Sequence, residues 1–214
     1  MNVNPQGTGE RLNQLLAEAG MAALDAAAAQ QFERFVSLFL RWNARINLTS
    51  VRGEEGILRR HLLESIACAR ALPAGIATLL DFGSGGGFPG IPIAICRPEI
   101  SVTLAESQGK KSAFLQEAVR TLEQAVHVHA GRAETFQTLV DCVVLRAVDR
   151  MEEAVRTAAG LLMPGGRLAL MTTHSDLIRL HGAAGPGFAW TDPLPLPGSE
   201  SRILSLGAKL SSPA

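Results

Sequence analysis

Residues Leu80 to Gly90 read LDFGSGGGFPG: an acid, then four glycines within five positions, then Phe-Pro-Gly. Each glycine costs roughly 0.5–1 kcal/mol of ordering relative to alanine, so such backbone freedom is kept where something must come close to the main chain. The stretch follows the apolar ATLL and leads into the apolar IPIAI. A glycine loop between a first parallel strand and the next helix lies at the carboxyl edge of a sheet, where doubly wound folds bind ligands.

Downstream of it, short apolar runs alternate with amphipathic segments, the pattern of a parallel sheet covered by helices. Strands are expected at ATLLDF (77–82), SVTLAE (101–106), VHVHA (126–130), CVVLRA (142–147) and RLALMT (167–172). Helices are expected at PGIPIAICR, KKSAFLQEAVRTLE and MEEAVRTAAGLL. GFAW and RILSLGAKL, on either side of a Pro-Gly-rich connection, read as a closing antiparallel hairpin. The expected class is α/β and Rossmann-like, with a mostly parallel sheet and helices on both faces.

Upstream, residues 1–72 carry no strand pattern. Leu12, Leu15 and Leu16 share one helical face that ends at Gly20, and Phe32, Phe35, Val36 and Phe39 form a second stripe. Ile57, Leu58, Leu62 and Ile66 form a third, stopped by Pro73. A helical cap over 1–72 on a core over 73–214 is therefore expected, as one compact unit. MNVNPQGTG and SSPA are expected as loose ends.

Composition narrows the function. No run approaches 18 apolar residues and no basic start precedes an apolar signal core, so membrane spanning and secretion are not expected and a cytoplasmic site is. Cys68, Cys96 and Cys142 are far apart in apolar contexts, which favours reduced core thiols over zinc or disulfides. Formal net charge is zero, yet Arg41 to Arg70 hold six arginines against three acids. Such a segment is either a solvated helix face or a contact for phosphates.

The glycine loop fits two patterns. From Gly85 it satisfies G-x-G-x-x-G, a weak sign of a dinucleotide in a chain with 21 glycines. From Asp81 it satisfies D-x-G-x-G-x-G, which resembles the first motif of class I S-adenosylmethionine-dependent methyltransferases. Glu106 lies 25 residues beyond Asp81 at the end of the second strand, where an acid accepts hydrogen bonds from ribose hydroxyls. Asp81 heads the loop, where it is expected to meet the amine of a methionyl group, and no second domain is expected to serve hydride transfer.

In order and spacing, RWNARINLTSV, RHLLESI, DFGSGGGFPGIPIAI, LAESQGKKSAFLQE, GRAE and LRAV resemble the bacterial 16S ribosomal RNA guanine-N7 methyltransferases, the glucose-inhibited division protein B family. The resemblance spans roughly Leu12 to Leu206. It implies an S-adenosylmethionine pocket formed by Asp81, Gly83, Gly85 and Phe88, with Glu106 on the ribose, Ala133 and Glu134 near the adenine, and Arg146 at the end of the fourth strand. The implied acceptor is N7 of a guanine in the 530 loop of 16S rRNA, free, within the 30S subunit, or in an assembly intermediate.

N7 carries an in-plane lone pair and no proton, so positioning suffices and no acid-base dyad or metal is needed. In an A-form helix that atom faces a deep, narrow groove, so the target belongs in a loop or must leave its stack. Candidates for RNA contact are Arg41, Arg45, Arg59, Arg60, His61, Lys110, Lys111 and Arg202. His61 either lines the acceptor pocket or bonds Glu64. The chain departs from the family at Met171 and Thr172, where a lysine and a glycine are expected, and diverges over His174 to Trp190. Tyrosine is absent, so any base stacking falls to Phe or Trp. A small-molecule methyltransferase, a non-catalytic RNA-clamping assembly factor and a nicotinamide oxidoreductase are the competing readings.

Overall fold

The structure, a computed structural model, describes residues 7–122 and 125–211. α1 (Thr8–Glu18) buries Leu12, Leu15 and Leu16 and is followed by Gly20 in a left-handed conformation. α2 (Ala26–Ile46) starts where the Asp25 carboxylate accepts the Ala28 N–H at 2.7 Å, and it buries Phe32, Phe35, Val36 and Phe39. A third helical run has three parts: α3 (Glu54–Ile57), a π-helical turn (Leu58–Leu63) and α4 (Glu64–Ala71). Pro73 follows its end.

Five parallel strands come next. They are β1 (Thr78–Phe82), β2 (Ser101–Ala105), β3 (Val126–His129), β4 (Val140–Arg146) and β5 (Leu162–Thr173). Between them run α5 (Gly90–Cys96), α6 (Gly109–Leu122) and α7 (Met151–Gly160). After β5 come α8 (Leu177–Ala184), β6 (Phe188–Trp190), β7 (Leu194–Pro195) and β8 (Arg202–Lys209). β8 is antiparallel to β5, and β6 and β7 both pair with its other edge, giving the order β3-β2-β1-β4-β5-β8-β6.

The sheet is buried on both faces, as its strand composition requires. Leu79, Cys142, Val144, Ala169 and Met171 point to the side of the first six helices. Their neighbours Leu80, Val143, Leu145, Leu168 and Leu170 point to that of α7 and α8. Because successive residues face opposite buried sides, the strands are continuous apolar runs in sequence.

Several expectations shift at the edges. Thr8 and Gly9 belong to α1, not to a loose end: Thr8 is buried and its hydroxyl donates to Glu54 Oε1 at 2.6 Å. Residues 1–6 and 212–214 of the expected loose ends lie outside the described residues, as does Glu123 at the end of the helix expected there. Leu162 opens β5 instead of closing α7. Cys68 and Cys142 are buried, whereas Cys96 is half-buried at the end of α5. α8 was not expected at all.

Candidate functional site

The carboxyl ends of β1, β2, β3 and β4 open onto a cavity of about 630 Å³. Its lining includes Gly83, Gly85 and Phe88 from the loop after β1, Glu106 after β2, Ala133 and Glu134 after β3, and Arg146 at the end of β4. Of the eight residues expected to hold a cofactor, the fold thus gathers seven. The eighth, Asp81, stands behind the wall.

Asp81 is 1% exposed, and its Oδ2 accepts the Gly90 N–H at 3.0 Å. A Cβ on Gly90 would lie 2.5 Å from that oxygen and 2.4 Å from Leu104, so only glycine lets the helix start sit against the acid. Burial pushes the Asp81 carboxyl up to about 7, against the pull of the Gly90 N–H. The expectation that Asp81 meets a methionyl amine is therefore corrected: it does not line the cavity, and it ties the loop to α5.

Glu106 has the opposite disposition. Its Oε2 accepts the Gly85 N–H at 2.9 Å and its Oε1 the Gln108 N–H at 2.7 Å, which fixes the carboxylate at the cavity wall. Each oxygen keeps a further lone pair for a hydroxyl. Gly85 reaches the bond with a φ of +55°, a conformation that side chains resist.

Phe88 links this loop to the helical segment. Its ring packs edge-on against Phe35 and Phe39 of α2 and stacks on His61, with centroids 4.8 Å apart. His61 Nε2 is 2.8 Å from Thr49 Oγ1, and Asn43 Oδ1 accepts the Thr49 N–H, so the WNARINLTS motif is the frame that holds this ring. Leu48 to Val51 form part of the cavity wall. Burial, reinforced by Arg146, Arg60 and Arg202, holds the His61 imidazole down to about 3. It is a neutral ring, bonded to Thr49 and not to Glu64.

Glu64 has another role. It is fully buried and carries three arginines: Arg60 on Oε2, Arg146 Nη2 on Oε2 at 3.1 Å, and Arg202 Nε on Oε1 at 2.7 Å. Arg146 Nη2 also donates to the main-chain carbonyl of Arg60 at 2.6 Å. Burial pulls the Arg146 guanidinium down to about 10, with Glu64 opposing. Removing a partner from a buried cluster of this kind leaves uncompensated charge in a poorly solvated place.

The remaining expected RNA contacts divide sharply. Arg60, His61 and Lys111 line the cavity, and Arg202 reaches the Glu64 cluster from β8. Arg41, Arg45 and Lys110 are exposed and, like Lys111, have no ion pair among the described residues. Arg59 does not face the cavity: it pairs with Glu55 at 2.6 Å and Glu18 at 3.3 Å in a surface network shared with Arg11. One residue of helix turns Arg59 away from the side that Arg60 faces.

Sequence reasoning missed Glu64 as a hub and Ala147 as a wall. Ala147 has a φ of +51°, a strained conformation for alanine at the shared end of β4. Arg60 lies four residues before Glu64, a local helical pairing, but Arg146 and Arg202 come from β4 and β8, so no local pattern announces the cluster. Among the described residues no helix is long and apolar enough to cross a membrane, and no three His, Cys, Asp or Glu side chains group as metal ligands.

Comparison with known proteins is in keeping with this geometry. The family model described as GidB, rRNA small subunit methyltransferase G, matches residues 28–184. A protein named ribosomal RNA small subunit methyltransferase G from Xanthomonas euvesicatoria pv. vesicatoria is 40% identical over 191 residues, 86% of this chain and 88% of its own. Its namesake from Stenotrophomonas maltophilia is 39% identical over 200 residues, 91% of each chain. Among solved structures, an O-methyltransferase from Bacillus cereus in complex with SAH matches with a TM-score of 0.63 at 16% identity, over 94% of this chain and 97% of that one. TrmN from Thermus thermophilus matches with a TM-score of 0.57 at 24% identity, over 80% and 52%. Both structural likenesses concern the fold.

Proposed function

The chain belongs to the GidB family of small-subunit ribosomal RNA methyltransferases and is an S-adenosylmethionine-dependent enzyme acting on 16S rRNA, and from that premise we infer that its acceptor atom is N7 of a guanine in the 530 loop. With membership of the family, the nicotinamide reading of the glycine loop falls away. The observation that supports the inference is the wall itself: a His61 ring held neutral by burial and stacked on Phe88, beside a cationic Arg146, an enclosure suited to orienting a base whose acceptor atom carries no proton.

The residues present fit the cofactor. Glu106 offers a fixed carboxylate to ribose hydroxyls, Gly83 and Gly85 allow close approach to the main chain, and Ala133 and Glu134 border the far end of the cavity. S-adenosylmethionine, when bound, supplies a methyl group on a sulfonium, which an N7 lone pair takes without releasing a proton. The chain's own task is then to orient the base and exclude water. Phe88, braced by His61, Phe35 and Phe39, gives the apolar side of that enclosure.

Holding the RNA falls to cations in and beside the cavity wall. Arg45 lies just before the loop Leu48–Val51 and Lys110 and Lys111 just after Gln108, so the unpaired charges sit next to segments of the cavity wall in sequence. Such charges neutralise phosphates and fix register without reading sequence. A cytoplasmic location, where ribosomal subunits assemble, belongs to the same reading.

The atom is tested by replacing the target guanosine with 7-deazaguanosine in an acceptor RNA. Transfer should vanish while cofactor and RNA affinity persist. Continued methylation of the 7-deaza base would assign the reaction to another atom.

A further inference from the structure

Beside the cavity of the glycine loop lies a second of about 240 Å³, and the two share Arg60, Arg146, Ala147 and Val148 in their linings. Its other walls include Met151 at the start of α7, Met171 and Thr172 on β5, and Leu180 on α8. At its base stands the Glu64 cluster. Three guanidiniums share one buried carboxylate there, so two positive charges have no carboxylate of their own. Arg179 at the same cavity is answered by Asp176 and Glu152.

Arg146 supplies a second, independent sign. Its side chain is 7% exposed, and its Nη1 is buried without a hydrogen-bond partner. An unmet buried donor is costly and marks a place where a ligand, water or ion completes the bonding. Thioether and leucine walls over a cationic base suit a flat heteroaromatic ring that carries acceptor atoms and a phosphate.

We propose that this second cavity receives the target purine base, turned out of its RNA stack, with its carbonyl-bearing edge toward Arg60 and Arg146 and its phosphate toward Arg202. The proposal rests on the rRNA methylation reading and adds to it the seat of the acceptor. Enzymes that act on a base buried in a stack extrude it into a pocket. Arg60, Arg146, Ala147 and Val148 line both cavities, so the two adjoin there and a base seated in the second turns one edge to the first. In guanine that edge carries O6 and N7 side by side, so O6 takes the arginine donor while the N7 lone pair stays free to take the methyl. Glu64 is a positioning residue in this arrangement, since it sets where the three guanidiniums stand.

The test uses an acceptor RNA with 2-aminopurine at the target position, together with transfer to the unmodified RNA. With the wild-type enzyme the fluorescence should rise and be shielded from acrylamide. Met151→Trp and Thr172→Phe fill the cavity from different elements, so a folding failure at one leaves the other. In either, the rise should vanish and transfer should fall about a hundredfold, with cofactor affinity unchanged. A base left open to acrylamide in the wild-type complex, or a folded filled variant that flips and transfers normally, would overturn the proposal. Absence of transfer by the wild-type enzyme to any rRNA guanine would strike the methylation reading instead, and a shielded base would still support the cavity.

Discussion

Glu106 and His61 border the same cavity with opposite chemistry. Glu106→Ala removes two hydrogen-bond acceptors for a ribose, each worth about 0.5–1.5 kcal/mol, so cofactor affinity should fall about tenfold to a hundredfold by calorimetry. An unchanged affinity would remove Glu106 from the cofactor site. His61 speaks to pH. Its folded pKa of about 3 lies below the usual 6.5, so the unfolded chain takes up a proton that the folded chain refuses, and stability is lost as pH falls across that interval. Asp81, held up at about 7, works in the opposite direction, so the variant must be compared with the wild type at each pH. His61→Phe keeps the stack on Phe88 and should lose less stability than wild type between about pH 6.5 and about pH 4, as read by urea denaturation. Equal losses would mean that His61 titrates normally. At this scale the acid after β2 was legible from spacing, whereas the Glu64 cluster was not, because Arg146 and Arg202 are joined to Glu64 only by the fold.

Among the elements, the third helical run separates two arginines that the sequence places side by side. Arg60 faces Glu64 and the cavity, while Arg59 closes a surface network with Glu55 and Glu18. Arg59→Glu should therefore lower the melting temperature slightly, since exposed pairs contribute about 0–1 kcal/mol, and leave the salt dependence of RNA binding unchanged. Lys110→Glu with Lys111→Glu should do the reverse, weakening RNA binding and flattening its salt slope with stability retained. A wild-type slope in the lysine variant would move the RNA path elsewhere. The helical stripes of α1 and α2 were legible because leucine and phenylalanine recur at helical spacing. The π-helical turn has no such signature, and α8, with Leu180 as its buried residue and Ile178 87% exposed, offers too short a stripe to read.

On the scale of the whole molecule, the sheet order accounts for the site. β1 sits between β2 and β4, so the loops that follow β1, β2, β3 and β4 emerge along one edge, and chain segments far apart in sequence meet there. The parallel sheet was legible because both of its faces are buried and its strands are therefore apolar throughout. The second cavity was not, because its walls come from α7, α8, β5 and the π-helical turn, and their closeness follows from packing alone. The central claim is that one edge of this sheet joins a methyl donor to guanine N7. Its most direct test is transfer from labelled S-adenosylmethionine to unmodified 16S rRNA and 30S subunits, followed by nuclease digestion and identification of the labelled nucleoside. Label is expected in 7-methylguanosine at a single site in the 530 loop; label in any other nucleoside would contradict guanine N7 as the acceptor.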